Sequence, residues 1–280
     1  MYTERSVELK SDFYSRYGSA SGTLYFERVG LPFMLMRGGS RMLAFAADCG
    51  VRAYGRRYGD VLRVLDSDSN VCDVRFCGGG GGAQILYKTD LSGFGREEET
   101  IAYTVDKLLV RMGIKKSIDV SNKRAAALCD EFGSRGWCAY LGRGGAKSLP
   151  LPLADHNVMM IRVRKNGGRK VNETDLECFE EGEDRRIEAA AAGLKDCRPE
   201  VLFEMMNESE RAAEKLLGVS AQARRAAEIA MDTDGVCAAR ICESGVLCIS
   251  EREKTDSAAH MIREEFGKQV GYYTGIAVIK

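Results

Sequence analysis

Residues 1–90 contain short runs in which apolar and polar positions alternate, and this pattern predicts a strand-rich start to the chain. The runs are rich in β-branched and aromatic residues, are bounded by Gly, Asp and Ser, and lie at 23–27, 41–48, 51–55, 61–66, 71–76 and 84–88. The spacing then changes. Five apolar residues fall on one face of a helix: Ile101, Val105, Leu108, Leu109 and Met112. We therefore expect an amphipathic helix that ends near Gly113.

Helical periodicity dominates the second half of the chain. A helix over 122–132 is expected before a glycine-rich stretch, 132–153, for which we expect loop, and a strand is expected at 158–165. The remaining elements are expected to be helices at 183–194, 199–217 and 221–232, strands at 236–241 and 245–250, a helix at 256–266 and a strand within 272–279. This order favours an α+β protein with helices on one side of a sheet.

Composition narrows the class of protein without indicating a function. The 280 residues are 45% apolar and 29% charged, which is typical of a globular protein with a core, and acidic and basic side chains balance at 41 each. This balance gives no support for binding to nucleic acid or to an anionic membrane. No apolar run approaches the roughly 18 residues of a membrane span, and the N-terminus lacks signal-peptide character, so we expect a cytoplasmic protein.

The cysteines and histidines do not predict a metal site. Ten cysteines are scattered through apolar segments, so we expect reduced and mostly buried thiols. There is no CxxC pair, and the two histidines, His156 and His260, lie far apart, so we expect no zinc site and no catalytic role for either. Cys129 and Cys138 flank a predicted loop but have no basic neighbour that would activate a thiol.

Single carboxylates are the other candidate bases: Asp12, Glu27, Asp48, Asp90 and Asp155. The sequence pairs none of them with a nucleophile or a metal-ligand cluster, so we interpret them as turn formers or solvated charges. Met205 and Met206 lie within a predicted helix and are expected in the core. The segment 77–84, CGGGGGAQ, lacks the lysine and hydroxyl residue of a phosphate loop and precedes a strand, which indicates a turn.

The segment SGFGREEET, residues 92–100, is better placed for nucleotide chemistry, because Gly93 and Gly95 follow a predicted strand and open a helix. Such a loop can bind phosphate on the backbone amides of a helix N-terminus. The glutamates Glu97, Glu98 and Glu99 are accounted for by the helix dipole, which favours acids in the first turn. At about 5 Å and an effective dielectric constant near 20, each would repel a phosphate by on the order of 3 kcal/mol, part of which Mg²⁺ could offset. We therefore favour the interpretation without phosphate.

Four stretches of the chain follow the order of motifs in one enzyme family. The matched residues are Met206, Asn207, Glu208 and Ser209 on the family's MNES, Val219 and Ser220 on its VS, and Ala239 and Arg240 on its GARMTGGGFGG. Residues 17–55 have the shape of its opening PGRVNLIGEHTDY segment and the strands that follow. Residues 85–109 have the shape of its strand, ATP loop GLSSSAA and helix.

On these residues the chain resembles the galactokinase branch of the GHMP sugar kinases over nearly its whole length. The resemblance implies a two-domain α+β fold, with a ribosomal protein S5 domain 2-like N-terminal domain at 1–152 and a ferredoxin-like C-terminal domain at 153–280. It also places Gly93 and Gly95 on the glycines of the ATP loop, as a degenerate phosphate loop, and these are our candidate cofactor-binding residues.

The polar residues of four family motifs are missing from the chain. Thr23 replaces the arginine of the opening motif, Val29, Gly30 and Pro32 replace its glutamate, histidine and aspartate, residues 96–99 replace the ATP-loop serines, and 243–245 shorten GGGFGG. The region that corresponds to the family's GIMDQ segment, 131–154, contains no aspartate to act as the catalytic base. Because phosphoryl transfer depends on positioning and on charge stabilisation around the phosphates and metal, these losses indicate impaired chemistry.

The leading hypothesis is a catalytically impaired, galactokinase-like pseudokinase with a sugar-binding, regulatory or partner-binding role. It predicts no catalytic residue, no metal ligand and no cofactor, and a sugar or a protein as the partner. The first alternative is an active sugar kinase that uses ATP and Mg²⁺, with the metal held by Glu97, Glu98 or Glu99. The second alternative is a structural or interaction protein without a small-molecule site.

Overall fold

The structure is a computed structural model that describes residues 2–19, 22–69, 72–76, 81–91, 96–134, 136–163, 171–217, 219–242 and 245–279. Within these residues the chain forms α1 (Tyr2–Tyr17), β1 (Tyr25–Arg37), β2 (Met42–Arg57), β3 (Val61–Asp66), β4 (Cys72–Phe76), β5 (Ala83–Thr89), α2 (Glu97–Arg111), α3 (Arg124–Phe132), β6 (Trp137–Gly142), β7 (Gly145–Pro150), β8 (His156–Arg162), α4 (Glu173–Lys195), α5 (Pro199–Leu216), α6 (Ala221–Met231), β9 (Val236–Cys242), β10 (Gly245–Glu251), α7 (Thr255–Val270) and β11 (Ile276–Val278). The α+β class predicted from the sequence is confirmed.

The chain divides into two compact units. Unit 1 comprises Met1–Leu31 and Cys49–Asp130, and unit 2 comprises Pro32–Asp48 and Glu131–Lys280, so that β1 and β2 each contribute residues to both. The domain boundary expected between residues 152 and 153 stays a prediction. None of the helices in the described ranges combines the length and the apolar composition that a membrane span requires.

Unit 1 is built on a sheet with the strand order β4-β3-β5-β2, in which β3 and β5 are parallel and the other pairs are antiparallel. Two neighbouring residues of β5 point to opposite faces, as strand geometry requires. Ile85 packs in a core with Leu108 and Met112 at the C-terminal end of the α2 segment, whereas Leu86 packs with Leu9 and Phe13 of α1. The helices α1 and α2 therefore cover opposite faces of this sheet.

Two features of unit 1 differ from the sequence-based expectation. The helix α1 was not predicted, although Leu9, Phe13 and Tyr17 lie four residues apart on one face, because the polar residues between them obscure so short a stripe. The strands predicted at 41–48 and 51–55 form one strand, β2. Gly50 suggested a break between two strands, but it lies within β2. A glycine is needed there because the Val29 carbonyl oxygen leaves no room for a Cβ atom.

The C-terminal sheet of unit 2 has the order β11-β8-β10-β9 and is antiparallel throughout. Alternate residues of its strands, such as Met159, Cys248 and Ala239, share one face and pack with Ala226 of α6 and Ile262 of α7. The helices predicted over 199–217, 221–232 and 256–266 are confirmed, as are the strands β9 and β10.

The glycine-rich stretch of unit 2 for which loop was expected, 132–153, is instead largely a hairpin of β6 and β7 that pairs with β2. Its glycines sit at the turn, where Gly145 has a φ of +96°, and buried positions such as Cys138 and Leu149 face each other across the pair. The expectation of a loop was wrong because it was based on the glycines of the turn. The segments on either side, which form β6 and β7, are too short to show a clear alternation of apolar and polar residues. The helix expected from 183 begins at Glu173, where the Asn172 side chain caps it by accepting from the Asp175 amide.

Candidate functional site

The candidate phosphate-loop glycines, Gly93 and Gly95, lie outside the described residues, whereas the helix start that follows them is described. Arg96 occupies the N-cap position of α2 and makes no side-chain capping hydrogen bond. Glu97, Glu98 and Glu99 form the first turn, as the sequence predicted. Acidic side chains here complement the positive end of the helix dipole.

Glu99 is held by residues that follow α2 in the chain. Its carboxylate accepts hydrogen bonds from the backbone amides of Ala125 (2.7 Å) and Ala126 (3.0 Å), which lie in the first turn of α3. It also forms an ion pair with Arg96 at 3.1 Å, and its side chain is only 11% exposed. Glu99 therefore caps α3 from outside that helix, because two backbone amides in the first turn of a helix have no partner within it.

The first turn of α2 does not fit a magnesium-bound nucleotide phosphate. Its one well-buried carboxylate, Glu99, is engaged by two amides and an arginine, and the described residues here include no lysine to neutralise phosphate. Across the described ranges, no three His, Cys, Asp or Glu side chains converge as a metal-binding group. Glu98 is exposed and makes no hydrogen bond or ion pair with a described residue.

A cavity of about 860 Å³ lies in unit 1 beside α2, and we call it the α2 cavity. Its apolar wall is formed by Leu62, Val64, Ile101, Val105, Leu109 and Ile114. Its charged residues include Glu98 at the start of α2 and Asp106 two turns further on. A concave, mostly apolar site with a few polar groups is the usual form of a small-molecule site, which makes the α2 cavity the candidate site of unit 1.

The carboxylates considered as bases are not brought together. Glu27 lies in ion pairs with Arg111 (2.6 Å) and Lys107 (3.4 Å), and Asp90 forms an ion pair with Arg52. Asp12 accepts from a serine hydroxyl, whereas Asp48 and Asp155 are exposed. Glu27 and Asp90 therefore have structural partners and are not free to act as bases.

The two histidines lie on different elements, His156 on β8 and His260 on α7. The ring of His156 packs on that of Phe203 with centroids 4.9 Å apart, and His260 is exposed on α7. Met206 is fully buried and Met205 is half-buried, as expected for a core-facing helix. The described cysteines are free thiols.

Cys138 is expected to resist alkylation in the folded protein, because burial raises the pKa of its thiol to about 12 and leaves almost no thiolate near pH 8. The exposed Cys178 and Cys197 are expected to react under the same conditions. Iodoacetamide labelling followed by peptide mass spectrometry measures each site separately, and labelling in urea provides the control. Equal labelling of all three cysteines in the folded protein would contradict this expectation.

Two of the polar residues that match the family motifs, Ser209 and Arg240, belong to a buried network in unit 2. Ser209 donates to Glu183 at 2.8 Å, and the Arg240 guanidinium contacts both the Ser209 hydroxyl (2.9 Å) and the Glu183 carboxylate (3.1 Å). Arg240 also donates to the Leu35 carbonyl at 3.2 Å. Because Glu183 is fully buried, the network ties α4, α5, β9 and β1 together as structure. The sequence analysis did not identify Glu183, because in the sequence it is only one of several acidic residues in a predicted helix.

Two α5 side chains cover the open edge of β9. The Asn207 amide donates to the Cys237 carbonyl (3.1 Å) and accepts from the Ala239 amide (3.2 Å), as a neighbouring strand would. Glu210 accepts from the Ile241 amide at 2.7 Å, and burial raises the pKa of this carboxyl. These contacts satisfy backbone groups that would otherwise pair with another strand, so Asn207 of the MNES match has a structural role.

Neither a protein-family model nor any curated protein sequence matches the chain. Solved structures do match. Galactokinase from Lactococcus lactis, complexed with galactose, aligns over 98% of this chain and 97% of its own, with 12% identity and a TM-score of 0.76. Mevalonate pyrophosphate decarboxylase from Streptococcus pyogenes covers 94% and 98% of the two chains at 10% identity and a TM-score of 0.65. Mevalonate kinase from Staphylococcus aureus covers 91% and 99% at 11% identity and a TM-score of 0.60.

These alignments span almost the whole chain, so the two-domain α+β fold of the GHMP kinases is established for it. Galactokinase is one of the structures that share this fold, as the sequence resemblance predicted. At sequence identities of 10–12%, this similarity establishes the fold but not the activity.

Proposed function

We propose that this protein is a non-phosphorylating, galactokinase-like relative of the GHMP kinases, which keeps their scaffold and binds a sugar or a partner protein without transferring phosphate. The observation that carries the proposal is the position of Glu99, whose carboxylate binds the two α3 amides and Arg96 at the helix start where the resemblance expects a phosphate loop. If this carboxylate bound a metal instead, the backbone amides of Ala125 and Ala126 would lose their hydrogen-bond acceptor.

The charge at this helix start supports the same proposal. Glu97 and Glu98 add two further carboxylates within the first turn, where a bound phosphate would make use of the helix dipole. A triphosphate would have to approach all three acids in a partly desolvated setting, which strengthens the repulsion. The absence of an aspartate from 131–154 removes the expected base as well.

A hexose is the first small ligand to test, since the galactokinase that shares this fold was solved with galactose. Isothermal titration is expected to detect no binding of MgATP, with or without galactose and other hexoses. A coupled assay is expected to detect no ADP release. The galactokinase from Lactococcus lactis serves as the positive control in both measurements. Micromolar binding of ATP together with sugar-dependent ADP release would overturn the proposal.

The exposure of Glu98 supports one alternative, an active kinase that uses ATP and Mg²⁺. It is the exposed carboxylate of the first turn, lines the α2 cavity and has no described partner, so it is the acid most available to a metal ion. This alternative requires turnover in the parent protein and its loss in Glu98→Gln. If the parent protein shows no turnover, the active-kinase alternative is eliminated. If the protein binds neither ATP nor any hexose, the result would support a structural or interaction role instead.

A further inference from the structure

The strand β4 has an open outer edge within the described part of the chain. It is the last strand on one side of the unit 1 sheet, and β3 is the only described strand that pairs with it. Residues 72–75 are all exposed, and Val74 is 58% exposed. The backbone groups of an open strand edge can pair with a further strand, so the β4 edge is a candidate surface for association with another chain.

Other edge strands of this protein carry features that oppose pairing with a further strand. The edge of β9 is occupied by Asn207 and Glu210, which bind its backbone groups. The strand β7 contains the exposed Lys147 and ends at Pro150, and β11 has only three residues. A covered edge, lysine, proline and a very short strand are the usual means of preventing edge-to-edge pairing. By contrast, β4 contains neither lysine nor proline.

The sequence of β4, CDVRF, complements itself in charge when two copies run antiparallel. If Val74 of one copy lies opposite Val74 of the other, Asp73 of each copy lies opposite Arg75 of the other copy. Cross-strand pairs of opposite charge stabilise a sheet, whereas like charges directly opposite each other destabilise it. Moving the centre of the pairing to either neighbouring residue would place Asp73 opposite Asp73, or Arg75 opposite Arg75. The charges therefore favour the register that is centred on Val74.

The two charged side chains are positioned for this pairing. Asp73 and Arg75 lie on one face of β4 and form an ion pair at 2.7 Å, and both side chains are more than half exposed. In the paired arrangement each arginine also meets the aspartate of the second copy across a strand spacing of about 4.8 Å. Both residues line the α2 cavity, so the second copy would place its own charged pair beside that cavity.

The neighbouring residues do not oppose this pairing. Residues 70, 71 and 77–80, which flank β4 in the chain, are uncharged. On the opposite face of the sheet, Arg63 of β3 lies next to Val74. In the paired arrangement Arg63 would be separated from its copy by three strand spacings, about 14 Å, which exceeds the screening length of about 8 Å at physiological salt.

We propose that two copies of this protein associate through β4, antiparallel and centred on Val74, so that the unit 1 sheet continues from one copy into the other. One pair of short strands forms a smaller contact than a standard protein interface, so the association is weak and depends on protein concentration. This inference concerns self-association, and it does not depend on whether the protein transfers phosphate.

Sedimentation velocity over a wide range of protein concentrations measures this association. The parent protein is expected to shift from monomer to dimer as its concentration rises. Asp73→Arg and Arg75→Asp are each expected to raise the dimer dissociation constant about tenfold or more, because two pairs of opposite charges become two pairs of like charges. An equimolar mixture of these two variants is expected to form a heterodimer about as stable as the parent dimer, because opposite charges again face each other.

Substitutions of Val74 test the centre of the pairing. Val74→Lys places two lysines directly opposite each other and is expected to prevent association. The matched control is Val7→Lys, which makes the same change at an exposed valine of α1 and is expected to leave association unchanged.

Disulfide formation tests the register directly. Val74→Cys, in a protein that also carries Cys72→Ser, is expected to form a disulfide-linked dimer when oxidised glutathione accepts the electrons of the two thiols. Residues directly opposite each other in paired antiparallel strands lie within the Cα separation of a disulfide. The Cys72→Ser protein without the new cysteine is the control, and it is expected to remain unlinked.

Three results would overturn the proposal. They are a parent protein that stays monomeric at every concentration, a mixture of Asp73→Arg and Arg75→Asp that forms no heterodimer, and equal effects of Val74→Lys and Val7→Lys. Near-ultraviolet circular dichroism verifies that each variant is folded, and the charge variants keep the test valid if Val74→Lys is not. A dimer that forms without a disulfide at Val74→Cys would place the contact elsewhere on the protein and also count against the proposal.

Discussion

Glu183→Gln is expected to lower the free energy of unfolding of this protein by about 3–5 kcal/mol, because it removes one partner of a buried ion pair. Arg240 would keep its contacts with Ser209 and Leu35 but would lose the carboxylate that compensates its charge. Glu183 also pairs with Arg186 at 3.0 Å, so the substitution affects a second guanidinium. Urea unfolding followed by far-ultraviolet circular dichroism measures the change.

The matched control is Glu181→Gln, which makes the same chemical change two residues earlier on an exposed face of α4. It is expected to leave the unfolding free energy essentially unchanged, because exposed charges contribute little. A double-mutant cycle of Glu183→Gln with Ser209→Ala tests whether the residues act together, and strong non-additivity is expected. A loss of less than about 1 kcal/mol for Glu183→Gln would show that the network does not hold unit 2 together.

The network illustrates which parts of this fold can be predicted from sequence. The helices α5 and α6 and the strands β9 and β10 were predicted because their periodicity and turn residues are local signals. Glu183, Ser209 and Arg240 are separated by 26 to 57 residues, and no local pattern indicates that they meet. Only the resemblance to a family singled out Ser209 and Arg240, and it did not indicate their structural role.

The candidate site shows the same division. Spacing alone placed three glutamates in the first turn of a helix, and the helix dipole accounted for them as a group. The helix dipole acts on all three glutamates in the same way, but their contacts in the structure differ. Glu99 reaches the α3 amides of Ala125 and Ala126, which lie 26 and 27 residues further along the chain, whereas Glu98 is exposed at the α2 cavity. That difference depends on how α3 packs, which sequence periodicity does not determine.

Glu99→Ala is expected to lower the free energy of unfolding by about 2 kcal/mol, because two α3 amides lose a charged acceptor. Glu99→Gln is expected to lose less, since the amide oxygen can still accept from one or both groups. The matched control, Glu98→Ala, changes a neighbour in the same turn that has no described partner, and is expected to leave stability essentially unchanged. Urea unfolding of the three variants measures these effects.

The same three variants separate a cap from a metal ligand when unfolding is repeated with excess Mg²⁺. A cap predicts that Mg²⁺ leaves the ranking of Glu99→Ala, Glu99→Gln and Glu98→Ala unchanged, because the contact joins protein to protein. A metal site predicts that Mg²⁺ stabilises the parent and that the stabilisation disappears in whichever variant lacks the ligand. If Mg²⁺ stabilised the parent and Glu98→Ala but not Glu99→Ala, Glu99 would be a ligand, and the proposal of a non-phosphorylating protein would lose its main support.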